Sequence, residues 1–99
     1  KRNSPILYTN ITYLKTIMEK AIQVKIVSPE RTLFNGQAKS ILVPGEKGSF
    51  EVLYNHAPII SSLSAGQVRC VAEETMVFDI AGGFVEVNEN KVSVCVETA

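Results

Sequence analysis

His56 is the one histidine of the chain, and its side chain is the first to test for chemistry. A histidine that acts as a general base needs an orienting group and a reactive proton within hydrogen-bond distance. Its polar neighbours in the sequence, Asn55 and Ser61, supply no carboxylate. Three hypotheses stay open: a loop histidine bonded to backbone or water, a contact at a protein interface, and a small enzyme that combines His56 with Asp79 or Glu51.

Two glycine-containing segments are compared with nucleotide-binding loops. In segment 45–49, GEKGS, the lysine precedes the second glycine and an expected strand follows, whereas the Walker pattern leads into a helix. Gly82 and Gly83 lack the spacing of a dinucleotide fingerprint, so they predict a backbone that needs positive φ or close approach. Neither segment predicts a cofactor. Lys47 leaves one alternative open, a small carrier or ligand-binding module with a modifiable lysine at a hairpin tip.

Cys70 and Cys95 are the two cysteines, and they form no Cys-x-x-Cys motif. With one histidine they cannot supply the four ligands of a structural zinc site. The sequence therefore predicts no metal centre and favours two reduced thiols, with a disulfide as the open alternative.

The composition limits the classes of partner. Ninety-nine residues amount to one domain, and 10 basic residues balance 10 acidic ones. Because there is no net basic charge to collect phosphates, we expect no nucleic-acid partner. No apolar run approaches the ~20 residues of a membrane-spanning helix.

The elements that must position these side chains are short strands. Ile22, Val24 and Ile26 alternate with polar residues, which is the period of a half-buried strand. Similar segments recur between turn residues along the chain, and Asn35-Gly36 carries the strongest local signal for a hairpin turn. The pattern predicts an all-β fold, an antiparallel β-sandwich or flattened barrel of about 8–10 short strands.

The first 17 residues contain no acidic side chain and no strand pattern. We expect residues 1–17 to be a disordered or non-native leader and Met18 to be a natural start. This division predicts a β-sandwich domain over residues 18–99.

Several phrases of the sequence, in order, resemble those of one known family. The phrases are VKIVSPE at 24–30, LFNG at 33–36, VPGEKGSF at 43–50, NHAPII at 55–60, DIAGGFVEV at 79–87 and KVSVC at 91–95. Together they resemble the N-terminal β-sandwich domain of the ε subunit of F1Fo ATP synthase, over about three quarters of the chain.

This resemblance implies a rotor component of the central stalk and no catalytic activity of its own. In the family the sandwich packs against the γ subunit and rests on the polar loops of the membrane c-ring, which helps couple proton flow to ATP synthesis. Position by position, the surface that faces γ would include Ser28, His56 and Ser61.

The resemblance also assigns a second surface, which faces the c-ring. It would include Glu46, Lys47 and Ser49. Some relatives carry a carboxylate where this chain has Ser49, so a charged contact with the c-ring would fall to Glu46 or Glu51.

The resemblance further implies a location and a mode of regulation. A peripheral position on the cytoplasmic face of the bacterial plasma membrane is expected, held there through the complex alone. Many members continue into a C-terminal helical hairpin, whereas the sequence given ends at Ala99 without one. The expectation is therefore a role in assembly and coupling, without regulation by a hairpin.

Overall fold

The computed structural model describes residues 20–99, and all of its regular structure is β-strand. The predicted all-β class is confirmed, whereas the predicted leader at residues 1–17 lies outside the described residues. Within those residues no helix has the length and apolar character needed to cross a bilayer. The strands are β1 Ile22–Val27, β2 Thr32–Ala38, β3 Ser40–Val43, β4 Phe50–Val52, β5 Ile59–Leu63, β6 Gly66–Val71, β7 Thr75–Asn88 and β8 Lys91–Thr98.

The strands form two layers that share β7. All eight strands belong to one hydrogen-bonded sheet, in the order β2-β1-β8-β7-β6-β3-β4, with β5 also paired to β7. We call β2-β1-β8-β7-β5 layer one and β7-β6-β3-β4 layer two. The first half of β7 pairs with β6, and its second half pairs with β8 on one side and β5 on the other. One continuous strand therefore joins the two halves of the sandwich.

The core lies between the layers and follows the alternation seen in the sequence. In β1, Ile22, Val24 and Ile26 are buried, whereas Gln23 and Lys25 are exposed. Burial of each large aliphatic side chain contributes about 1.5–3 kcal/mol, which makes this core the main source of stability. Other core side chains are those of Val43, Val52, Val68, Ile80, Val85, Val87, Val92 and Val94.

A β-bulge at Ala81 divides β7. Before the bulge Ile80 points into the core, and after it Val85 and Val87 do so, so the buried positions change from even to odd numbers. One extra residue produces this change because side chains alternate with a period of two. The segment is thus one long strand that changes layer.

The predicted hairpin turn at Asn35-Gly36 is wrong. Both residues lie inside β2, where they pair with Lys25 and Val24 of β1. A two-residue turn occurs instead between β7 and β8, at Glu89 and Asn90, with φ of 50° and 63°. Positive φ at both central residues defines a turn of type I′, whose twist matches that of paired strands.

One of the strand pairings departs from the predicted antiparallel pattern. The first strand, β1, runs parallel to the last, β8, with Val24 opposite Val92 and Ile26 opposite Val94. A parallel pair needs a long crossover connection, and here strands β2 to β7 supply it. Sequence neighbours alone could not predict this pairing, because the two strands lie at opposite ends of the domain.

Cys70 and Cys95 are not bonded to each other. Cys70 of β6 is fully buried in the core, and desolvation raises the pKa of its thiol to about 11. Cys95 of β8 lies between the buried Val94 and Val96, so its half-buried side chain points to the outer face of layer one. The two sulfur atoms therefore lie on different sides of a sheet layer.

Candidate functional site

His56 lies in the loop between β4 and β5, residues 53–58, which we call the His56 loop. Its ring stacks on Phe50, with ring centroids 6.2 Å apart and an interplanar angle of 30°. Nδ1 lies 2.7 Å from the carbonyl oxygen of Ala57. Because a carbonyl oxygen only accepts, Nδ1 carries the proton in this contact, and within residues 20–99 no hydrogen bond reaches Nε2.

Among residues 20–99 the structure assembles no catalytic site around His56. Asp79 Oδ1 accepts a hydrogen bond of 3.0 Å from Gln67, and Glu51 pairs with Leu42 on the outer face of layer two. Neither carboxylate bonds to the His56 ring, so the hypothesis of a small enzyme has no support. Within residues 20–99, no three His, Cys, Asp or Glu side chains are grouped to hold a metal ion.

The second candidate surface is the loop between β3 and β4, residues 44–49, which we call the charged loop. Glu46, Lys47 and Ser49 are all exposed on it. Two backbone bonds fasten it to the end of β5: Glu46 N–H donates to Ser62 O at 3.0 Å, and Ser64 N–H donates to Pro44 O at 2.8 Å. The three side chains are thus presented together from a backbone that is held in place.

Strand β5 separates the two loops. The His56 loop precedes Ile59, and the charged loop bonds to Ser62 and Ser64 at the other end of the strand. Five extended residues span roughly 15 Å, at about 3.3 Å per residue. The backbones of the two loops are therefore attached at opposite ends of one strand, whereas the ring of His56 turns back to stack on Phe50, whose side chain lies beside Gly45 of the charged loop.

Ser28 and Ser61 do not cluster with His56. Ser28 follows β1, where its Oγ accepts a 3.3 Å bond from Arg31 N–H in a tight turn. That turn lies at the end of layer one nearer to the charged loop, because Val27 pairs with Cys95 beside the end of β8. Ser61 lies midway along β5, half-buried and opposite Val85. The three residues predicted to face γ are therefore spread along layer one.

An apolar groove on the outer face of layer one was not predicted. Its volume is about 460 Å³, and Val27, Pro29, Phe84 and Cys95 line it together with Ser28. Phe84 is 49% exposed at the groove, so that it forms one contiguous apolar patch with Val27, Pro29 and Cys95. The sequence signal that could have indicated it is the presence of apolar residues at both odd and even positions of β7, which places apolar side chains on both faces of the strand.

Comparison with known proteins decides the family. Residues 21–99 match the model of the ATP synthase delta/epsilon chain, β-sandwich domain. The chain belongs to this family. The resemblance found in the sequence is thus confirmed, and an ε-type domain is favoured over a carrier module with a modified Lys47.

Two relatives show how much of an ε chain is represented. The ATP synthase epsilon chain of Leptospira interrogans is 39% identical over 75 residues, which are 74% of this chain and 58% of that protein. The ATP synthase epsilon chain of Chlorobaculum tepidum is 41% identical over 83 residues, which are 80% of this chain and 92% of that protein. The chain thus spans less than two thirds of the Leptospira protein and nearly all of the Chlorobaculum protein.

The ε-type sandwich also matches solved structures. A chain of the Euglena gracilis mitochondrial ATP synthase, from a cryo-EM structure of OSCP, F1 and the c-ring, superposes with a TM-score of 0.72 at 20% identity. The match covers 77% of this chain and 50% of the Euglena chain. At that identity the match shows a shared fold.

Proposed function

We propose that this ε-type domain, running over residues 18–99, is a non-catalytic part of the central stalk of a proton-translocating ATP synthase. It would join the γ subunit to the c-ring. The observation that carries the proposal is that the charged loop projects from one end of β5, whereas the surface proposed for γ runs along layer one as far as the His56 loop at the other end. A body that connects two partners needs contact surfaces on two sides.

The proposed surface for γ runs along layer one and includes Ser28, His56 and Ser61. The apolar groove beside Ser28, with Phe84 at its edge, adds the kind of area that contributes most to protein association. His56 offers Nε2 for a hydrogen bond from the loop that precedes β5, at the other end of that strand.

The proposed surface for the c-ring is the charged loop, with Glu46, Lys47 and Ser49. Its exposed charges of both signs suit contact with polar loops, and the bonds to Ser62 and Ser64 limit its freedom. Because the loop is already ordered, less conformational entropy is lost when it docks.

The fold suits the transmission of torque. Short turns connect most of the strands, and β7 belongs to both layers, so relative sliding of the layers would require one strand to deform. We also propose a peripheral location on the cytoplasmic face of a bacterial plasma membrane, reached through the complex. Support comes from the two bacterial relatives, both named ATP synthase epsilon chain.

The test is binding of the purified chain to γ and to a detergent-solubilised c-ring from the same organism. We expect His56→Ala to weaken the γ complex roughly tenfold, as the loss of one interface hydrogen bond would, and to leave c-ring binding unchanged. Lys47→Glu should do the reverse. Glu74→Lys, at the exposed turn between β6 and β7, is the matched surface control.

Failure of the native chain to bind γ would overturn the proposed function. Equal loss of both partners in either variant would show that the two surfaces are not separate. Binding that is unchanged in both variants would contradict the assignment of these two loops.

A further inference from the structure

Asn90, in the turn between β7 and β8, bonds to two other parts of the domain. Its carbonyl oxygen accepts a 2.8 Å bond from Gln23 N–H at the start of β1. Its side-chain Oδ1 accepts a 2.6 Å bond from the backbone N–H of Asn55 in the His56 loop. One residue therefore ties that loop to the start of β1 and to the turn between β7 and β8, at one end of layer one.

The bond to Asn55 N–H is the main polar anchor of the His56 loop. His56 N–H donates to Leu53 O at 3.1 Å, which closes the loop on itself. The second side-chain contact, from Asn90 Nδ2 to Asn55 Oδ1, is longer, at 3.4 Å. The anchor thus consists chiefly of the acceptor Oδ1 of Asn90 and depends little on the side chain of Asn55.

The backbone conformation of Asn55 and Asn90 also indicates that this hydrogen bond holds the His56 loop in place. Asn55 and Asn90 have φ of 67° and 63°, in the left-handed region that non-glycine residues seldom adopt. Asparagine is among the side chains that tolerate this region, because its short amide bonds to nearby backbone. The hydrogen bond from Asn55 N–H to Asn90 Oδ1 therefore joins two conformationally unusual positions directly beside His56.

We infer that Asn90 is a positioning residue for the proposed γ contact, which it serves by fixing the His56 loop before γ binds. The inference rests on the proposed function, since His56 is assigned to the γ surface there. Asn90 acts through Asn55 and the loop. A loop that is already in its bound conformation loses less entropy on association, so release of the anchor should weaken binding without changing any contact atom.

Two glycine variants separate the anchor from its surroundings. Glycine accepts positive φ, so Asn90→Gly and Asn55→Gly both keep the backbone geometry. Only Asn90→Gly removes the acceptor Oδ1, because Asn55 contributes its backbone N–H. Asn90→Asp keeps an acceptor oxygen and serves as the conservative rescue.

The first measurement is backbone amide hydrogen exchange of the full chain. We expect Asn90→Gly to accelerate exchange at the amide of residue 55 roughly tenfold, as the loss of one hydrogen bond would, while the core amide of Val94 is unaffected. Asn55→Gly and Asn90→Asp should retain the protection. Unchanged exchange at residue 55 in Asn90→Gly would overturn the inference.

The second measurement is the affinity for γ, by calorimetry. We expect Asn90→Gly to weaken it roughly tenfold, with Asn90→Asp and Asn55→Gly close to the native chain. Faster loop exchange with unchanged affinity would overturn the positioning role. If the native chain itself fails to bind γ, the proposed function fails, and the exchange data still decide whether Asn90 anchors the loop.

Discussion

Gly83 packs against the backbone of Cys95 so closely that a Cβ at residue 83 would overlap the Cys95 carbonyl oxygen. Gly83 also has a φ of 155°, which L side chains rarely adopt. We expect Gly83→Ala to lower the free energy of unfolding by about 2–4 kcal/mol, because both the contact and the backbone are strained. Urea denaturation of the purified chain measures this loss.

Gly82 provides the matched control for that substitution. A Cβ there would lie 3.6 Å from Leu63 O, an ordinary contact distance. Gly82→Ala should change stability by less than about 1 kcal/mol. Equal losses in the two variants would show that the close approach at Gly83 is not the cause.

Burial of the Cys70 thiol predicts a loss of stability at alkaline pH. The pKa of this thiol is raised from 9.0 to about 11 in the folded chain. Between these values the unfolded chain releases the proton while the folded chain keeps it, so stability falls as pH rises. A shift of this size corresponds to about 2–3 kcal/mol between pH 9 and pH 11.

Denaturant titrations across that pH range, with Cys70→Ala, isolate the contribution of the thiol. The variant should lose stability overall but show a shallower decline with pH. Val68→Ala creates a cavity on the same face of β6 but removes no titrating group. Its stability should therefore decline with pH as steeply as that of the native chain. A native slope in Cys70→Ala would rule out the thiol as the source.

The placement of the two cysteines predicts a difference in reactivity. Cys70 is inaccessible and its raised pKa keeps it as a thiol, whereas Cys95 opens onto the apolar groove. Since the thiolate is the reactive form, we expect an aromatic disulfide reagent to modify one cysteine of the native chain rapidly and the second only on unfolding. Peptide mapping by mass spectrometry should locate the rapid label on Cys95, and a rapid label on Cys70 would contradict the buried position.

The core between β1 and β8 predicts a large effect of truncation at Ile26. Its side chain is fully buried and lies opposite Val94. Ile26→Ala should lower the free energy of unfolding by about 2–5 kcal/mol, through lost burial and a residual cavity. Lys25→Ala, which is exposed on the same strand, should change it by less than about 0.5 kcal/mol. Thermal and urea unfolding of the pair would measure the contrast.

The alternation of apolar and polar residues predicted the strands correctly where one face of a strand is buried and the other is exposed. Ile22, Val24 and Ile26 are buried because period-two patterning has one consistent solution on a half-buried strand. The turn at Asn35-Gly36 failed because turn preference is local, and the pairing of both residues with β1 outweighed it. Glu89-Asn90, a weaker turn signal, forms the type I′ turn instead.

The candidate site was also predictable where it depends on neighbouring residues and unpredictable where it depends on contacts between distant ones. The three residues of the charged loop are neighbours in sequence, so their grouping could be expected. The bond between Asn55 and Asn90 joins residues 35 positions apart, and nothing in either local sequence indicates it. The distance of Ser28 from His56 likewise depends on the order of the strands in the sheet, which no local sequence motif indicates.

The parallel pairing of β1 with β8 has a consequence for how the chain folds. Val24 and Val92 are partners although nearly the whole domain lies between them. Contacts of such long sequence separation slow folding. During synthesis, β1 would wait for β8 to leave the ribosome, with its hydrogen-bonding edge open to other chains in the meantime. A nascent chain that stalls before β8 would therefore be a natural substrate for chaperones.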